Sequence, residues 1–118
     1  MTSSAVSRFR PWDVVVVPFP YSDQRSASVR PGVIVSAPLL HQKAHLYFVA
    51  MITNAQHPAW EGDVAVSNLK GAGLPVASIV RPAKLATFDE SAIIRAVGSL
   101  PAKDRVKVTG SLHAFIAS

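Results

Sequence analysis

Residues 12–19 read Trp-Asp-Val-Val-Val-Val-Pro-Phe, and the four valines at their centre restrict the fold more than any other stretch. β-Branched side chains are stiff at χ1 and favour extended backbone over helix. An unbroken apolar run, rather than an alternating one, predicts a strand buried on both faces, as in a small closed barrel or beneath a contact between two copies. Pro18 and Pro20 then stop the ladder, because neither can donate a backbone hydrogen bond.

Further short strands follow the same logic. Residues 30–36 (Arg-Pro-Gly-Val-Ile-Val-Ser) and 45–53 (His-Leu-Tyr-Phe-Val-Ala-Met-Ile-Thr) are β-branched and aromatic. Residues 63–67 alternate apolar and polar, and 77–80 and 85–88 flank an Arg81-Pro82 break. Residues 38–43 read as a turn or a single helical turn, and 93–98 fit either strand or helix. Gly71, Gly73 and Pro75 mark a turn. The one substantial helix expected is 101–116, opened by Pro101 and carrying a partial apolar stripe at Val108, Leu112 and Phe115 or Ile116. Gly110 and three β-branched residues weaken that helix. The sum is a mainly β chain: a single domain over 1–118, with a loose lead-in at 1–11, curled into a small barrel and closed by a C-terminal helix.

Composition narrows the function. With 49% hydrophobic and 16% charged residues the chain can bury a core. The absence of cysteine excludes disulfides, thiolate zinc sites and a cysteine nucleophile. Residues 1–10 lack the apolar segment of a signal peptide, and no apolar run approaches the roughly 20 residues of a membrane span. A soluble, cytoplasmic protein with no membrane partner is expected. The net charge of +5 suits a polyanion, nucleic acid first or an acidic protein second. The basic residues form no dense run, so a merely soluble basic surface also fits.

Arg30 stands at the mouth of the second strand and Thr53 at the end of the third. If those strands pair antiparallel, both residues share one rim of the sheet. The polar loops at 21–29 and 54–62 leave from that rim. A guanidinium offers phosphate a planar fork of donors, and a threonine hydroxyl adds one more. On topology alone two readings stand: a phosphate clamp, or an Arg30 paired with a nearby carboxylate such as Asp23 beside a Thr53 that merely ends a strand.

The order of motifs then resembles a known family. Asp-Val-Val-Val-Val-Pro-Phe-Pro-Tyr-Ser-Asp (13–23), Arg-Pro-Gly-Val-Ile-Val-Ser (30–36) and Val-Ala-Met-Ile-Thr (49–53) are similar to the MazF/PemK toxins, endoribonucleases of bacterial toxin–antitoxin modules. Trp-Glu-Gly-Asp-Val (60–64), Gly-Leu-Pro (73–75) and Ser-Ile-Val-Arg-Pro-Ala-Lys-Leu (78–85) extend the likeness from residue 12 to about residue 98. The resemblance implies an SH3-like curled barrel of the CcdB/PemK type, working as a homodimer. It puts the family's arginine on Arg30 and its catalytic threonine on Thr53. It also implies an RNA groove formed with Tyr21, Ser22, Asp23, Gln24 and Arg25, with Asn54 and His57 beside it. Three positions depart from the pattern: Trp12 where a glycine is usual, Asn54 where serine or threonine is common, and a first loop whose only basic residue is Arg25.

The implied reaction is metal-independent and needs no cofactor. Single-stranded RNA carries its own nucleophile, the 2′-hydroxyl beside the scissile phosphate. Arg30 would stabilise the non-bridging oxygens and Thr53 would hold the phosphate. The products would be a 2′,3′-cyclic phosphate and a 5′-hydroxyl. The base is open: arginine holds its proton tightly, and His57 is either a base or a solvated loop histidine. His41 and His45 have the i,i+4 spacing of a metal pair, but they straddle a turn into a strand. His113 belongs to the final helix. Trp60 either stacks on a splayed base or, the preferred reading, packs over the barrel end. Tyr21 either stacks on a base or packs. Arg81 is expected to be structural or a groove-edge charge, and Asp13 and Asp63 to satisfy turn or strand-end donors. The expected partners are single-stranded RNA and an acidic, partly disordered antitoxin. The alternatives are a gyrase-binding toxin of the same shape, or a member that binds RNA or antitoxin without cutting.

Overall fold

The computed structural model describes residues 8–19 and 28–118. Among them the chain forms β1 (Asp13–Pro18), β2 (Val29–Ile34), α1 (Pro38–Ala44), β3 (Leu46–Asn54), β4 (Val64–Ala65), α2 (Leu69–Ala72), β5 (Ser78–Asp89), a 3-10 turn (Glu90–Ala92), β6 (Arg95–Ser99) and α3 (Ala102–Phe115). All strand pairs are antiparallel, in the order β4-β5-β3-β2-β1-β6. The result is a curled half-barrel with a C-terminal helix, the mainly β architecture expected from the sequence.

The valine run behaves as its composition dictates. β1 lies between β2 and β6, and Val14, Val15 and Val17 are fully buried. Strand alternation sends them to opposite faces. Val14 joins Val33, Ala50, Ile52 and Val80, with Leu100 and Val108 from the α3 side. Val15 and Val17 join Ile34, Tyr47, Val49 and Phe88 in a second core. Each buried valine contributes about 1.5–3 kcal/mol, so this one strand ties two cores together.

Several boundaries differ from expectation for identifiable reasons. β5 is one continuous strand, not two short ones around Arg81-Pro82. Its ladder with β3 jumps from Ala50 opposite Leu85 to Met51 opposite Arg81. Residues 82–84 therefore bulge out of register, and the missing N–H of Pro82 costs no ladder bond. The turn or single helical turn expected at 38–43 is a seven-residue helix, α1, started by a proline in its first turn and stopped by His45 in the left-handed region (φ 57°). The short α2 replaces part of an expected turn, with the Asn68 side chain accepting from the Gly71 N–H as its cap. The ambiguous 93–98 stretch resolves to strand β6, because it pairs with β1. Only Val64 and Ala65 of 63–67 are strand.

Trp12 carries a φ of 73°, a region that costs a residue with a Cβ about 1–2 kcal/mol. The family resembled above usually has glycine here, and this backbone gives the reason. Tertiary bonds hold the conformation: Trp12 N–H donates to the Ile34 carbonyl at 2.7 Å, and its own carbonyl accepts from Leu100 N–H at 2.9 Å. The indole packs against the Val14 core.

Candidate active site

β2 and β3 bring the two expected catalytic residues together. Their ladder pairs Gly32 with Met51, Val33 with Ala50 and Ile34 with Val49. Continued two residues outward, that register sets Arg30 opposite Thr53. The same alternation puts both side chains on one face. Arg30 and Thr53 line a common cavity of about 220 Å³ with Ile52, Asn54, Pro75 and Ser78.

The far wall, residues 74–76, comes from a short segment the sequence marks only as a turn. Gly73 ends α2 in the left-handed region (φ 73°), and Leu74 N–H donates to the Leu69 carbonyl at 2.9 Å. A Cβ on Gly73 would lie 2.2 Å from the Val97 carbonyl oxygen of the β6 region, so only glycine lets the wall approach this closely. Ser78 Oγ donates to the Val76 carbonyl at 2.7 Å and fixes the other end of the wall.

The electrostatics of the cavity are one-sided. Among the described residues no carboxylate lines it. The Nε of Arg30 is buried and has no hydrogen-bond partner among the described residues. A buried donor left unpaired costs about 1–3 kcal/mol, so an acceptor that reached it would be bound with gain. The alternative partner Asp23 lies outside the described residues, as do Tyr21, Ser22, Gln24 and Arg25 of the expected RNA-binding loop. Asn54 lines the cavity and is exposed, but its Oδ1 accepts from Gln56 N–H at 2.8 Å. That leaves the amide NH₂ as its free donor. His57 is exposed in the turn beyond β3 and is not among the cavity-lining residues.

Arg81 is different in every respect. Its Nε donates to Asp63 Oδ1 at 3.1 Å, and its Nη2 donates to Asp63 Oδ2 at 2.9 Å and to the Pro58 carbonyl at 2.8 Å. Its guanidinium lies 4.2 Å from the Trp60 ring centroid, with Lys84 Nζ at 5.4 Å. Asp63 Oδ2 also accepts from Trp60 N–H at 2.8 Å. Burial pushes the Asp63 carboxyl up, but the hydrogen bonds from Arg81 and Trp60 and the Arg81 charge outweigh it and hold the group below its ordinary value. The cluster fixes the loop between β3 and β4. Trp60 remains 43% exposed, with Arg81 against its ring, so it is a surface clasp rather than a lid buried over the barrel end. Asp13 Oδ2 accepts from Arg10 N–H at 3.0 Å, the turn role expected of it.

The spaced histidines part company. His41 lies within α1, 2% exposed, with Nε2 2.8 Å from Ser36 Oγ and its ring 4.0 Å from that of Tyr47. Tyr47 in turn donates to Glu90 Oε1 at 2.8 Å. Burial lowers the His41 imidazole from its ordinary value, against the opposing charge of Glu90. His45 is exposed beside Arg8 and Asp89. Their shared spacing therefore does not converge on one site. Sequence reasoning also missed Asp104, buried in α3, which accepts from Ser67 N–H at 2.8 Å and Oγ at 3.1 Å. The two residues are 37 positions apart, and no local pattern joins them.

Comparison with known proteins points one way. The family model described as PemK-like, MazF-like toxin of type II toxin–antitoxin system matches residues 10–116. Comparison by sequence with curated proteins gives no match. Among solved structures, MazF from Deinococcus radiodurans is similar at a TM-score of 0.72 and 17% identity, covering 92% of this chain and 96% of its own. The Mycobacterium tuberculosis toxin MazF-mt6 gives 0.70 and 18% over 86% and 93%. An endoribonuclease in complex with its cognate antitoxin, from a mycobacterial species, gives 0.71 and 14% over 89% and 91%. At such identities these likenesses establish the shared fold.

Proposed function

Since the chain belongs to the PemK-like, MazF-like toxins of type II toxin–antitoxin systems, we propose that it is an endoribonuclease that cuts single-stranded RNA. One observation carries the reading: the β2–β3 register sets Arg30 opposite Thr53 with both side chains on one face, and the Arg30 Nε is buried with no hydrogen-bond partner among the described residues. A protein interior tolerates such a donor poorly unless something is meant to meet it.

The chemistry follows from the substrate. The 2′-oxygen attacks the adjacent phosphorus, and the bond from phosphorus to the 5′-oxygen breaks. The 2′-hydroxyl gives up its proton and the departing 5′-oxygen takes one up, leaving a 2′,3′-cyclic phosphate and a 5′-hydroxyl. Arg30 donates to the non-bridging oxygens, where negative charge gathers in the transition state. Thr53 Oγ holds the same phosphate by a hydrogen bond, and the Asn54 amide reaches the adjoining nucleotide. His57 is not the base in this scheme, because it does not line the cavity.

The likeness to an endoribonuclease solved with its cognate antitoxin supports an antitoxin partner here as well. A net charge of +5 suits an acidic segment of that partner. A homodimer is supported by the apolar face where α1 meets β3. There Leu39 and Phe48 are exposed at 65% and 40%. No helix among the described residues is long and apolar enough to cross a membrane.

The test is incubation of the purified protein with a long single-stranded RNA in EDTA, with the new ends mapped and the protein mass measured by light scattering. Cuts at one short sequence, leaving cyclic phosphates, from a particle of twice the chain mass are the expected result. Intact RNA, especially with inhibition of DNA gyrase, overturns the nuclease reading.

A further inference from the structure

The clasp around Trp60 belongs to the same face of the sheet as the two candidate catalytic residues. The β3–β5 ladder pairs Met51 with Arg81 and Thr53 with Ile79. Residues opposite one another share a face, and so do residues two apart along a strand. Arg81, Met51 and Thr53 therefore lie on one face, and the register that sets Arg30 opposite Thr53 adds Arg30 to it. Arg81 and Thr53 are diagonal neighbours, about 7–8 Å apart between Cα atoms. The Arg81 guanidinium leads on to the Trp60 ring, 4.2 Å from its centroid. The loop that carries Trp60 leaves β3 at Asn54, directly after Thr53.

The ring is held in place yet left open. Arg81 is buried and fixed by both oxygens of Asp63 and by the Pro58 carbonyl. The Trp60 backbone N–H is tied to the same carboxylate. All of this positions an indole that stays 43% exposed. A ring that only fastened the loop would gain most by burial, and this one gives up much of that gain. Lys84 Nζ stands 5.4 Å from the ring centroid. A fixed aromatic face beside cations is what single-stranded RNA stacks on, since every base has a π-face and the cations attract the backbone. Because the ring is fixed in advance, little ordering cost remains when a base arrives.

We propose that Trp60 stacks on the base of a nucleotide flanking the scissile phosphate, so that the RNA strand crosses this face from Arg30 and Thr53 toward Trp60. The proposal rests on the nuclease reading given above. It makes Trp60 a substrate-binding residue that positions the strand without touching the reacting atoms, with Arg81 as the support behind it. Sequence reading preferred packing for Trp60, because no local pattern joins it to Arg81.

The test uses the full protein and a short RNA carrying the mapped cut site, with an abasic nucleotide placed in turn at each position flanking the cut. For Trp60→Ala, KM on the intact RNA is expected to rise about tenfold, with a smaller change in kcat. Trp60→Phe should recover most of the loss. In the parent, an abasic nucleotide at one flanking position should raise KM by a similar factor, and in Trp60→Ala that same substitution should add nothing. An RNA with a 2′-deoxy nucleotide at the cut cannot be cleaved, and its binding should quench tryptophan fluorescence in the parent and much less in Trp60→Phe. An unchanged KM in Trp60→Ala overturns the proposal. So does equal quenching in the parent and Trp60→Phe. So do abasic penalties that persist in full beside the mutation at every position, the outcome if Trp60 only fastens the loop. Circular dichroism and melting confirm that the variants are folded, and the fluorescence comparison decides even if Trp60→Ala is not. A parent that cuts no RNA removes the nuclease reading and this placement with it, whereas a parent that cuts and shows none of these effects removes the stacking alone.

Discussion

Arg30 and Arg81 are each followed by proline, and each lies in a strand of the same sheet. Arg81 spends its donors inside the protein, on both oxygens of Asp63 and on the Pro58 carbonyl, with an aromatic ring against its plane. Among the described residues, Arg30 keeps a buried Nε with no partner and borders a cavity lined by no acid. The dipeptide fixes how the chain enters or leaves a strand. It does not fix what the guanidinium does. The deciding factor is whether the fold delivers a carboxylate: Asp63 lies 18 residues before Arg81 and arrives through the β4–β5 pairing, and nothing comparable reaches Arg30 among the described residues.

Removing each arginine should separate the two roles. Arg81→Ala strands Asp63, whose side chain is 8% exposed, and breaking such a buried pair costs about 3–5 kcal/mol. Urea unfolding at neutral pH should show that loss, and a midpoint equal to the parent's would mean the pair is not holding the loop. Arg30→Ala should do the reverse. RNA cleavage should fall about 100- to 1000-fold, a barrier cost of about 2.7–4 kcal/mol. Stability should hold or rise, since an unsatisfied buried donor is removed. Parent-like cleavage by Arg30→Ala would remove it from the mechanism.

Smaller effects refine the contrast. Thr53→Val keeps the shape and deletes the hydroxyl, so kcat should drop about ten- to a hundredfold with little change in melting. A single-turnover assay reads this directly, and a drop confined to KM would make Thr53 a binding group only. The smallest effect concerns His41, which is packed against Ser36, Tyr47 and the charge of Glu90. Burial lowers its imidazole below the ordinary 6.5, with Glu90 opposing. The unfolded chain therefore takes up the proton first. Stability present above pH 6.5 is lost as pH falls from there toward the lower folded value, where the loss levels off. The parent's melting temperature should decline across that window more steeply than that of His41→Gln, and parallel curves would exclude the histidine as the source.

Much of this was legible in the chain before any coordinates. The valine run called for a strand buried on two sides because four β-branched residues leave little else. Arg30 and Thr53 fell on one rim because the start of one strand lies beside the end of its antiparallel neighbour. What stayed hidden depended on distant pairings. Pro82 looked like a strand break, yet a register shift opposite Ala50 and Met51 absorbs it. Asp63 gave no sign of its arginine, and the 73–76 wall read as a turn because its shape comes from contact with Val97. The pairing of 95–99 with the valine strand was likewise hidden until β6 was known to lie against β1.

That last pairing has a consequence for synthesis. β1 is made first, but one of its two ladders is completed only when residues 95–99 have been translated, and long-range pairings of this kind form late. The cavity bordered by Arg30 and Thr53 draws its lining from residues 30–78. A nascent chain halted before Arg95 would expose one edge of its valine strand. For a protein whose activity would harm the cell producing it, the order of translation acts as a delay: the complete sheet cannot exist until residue 99 has been made.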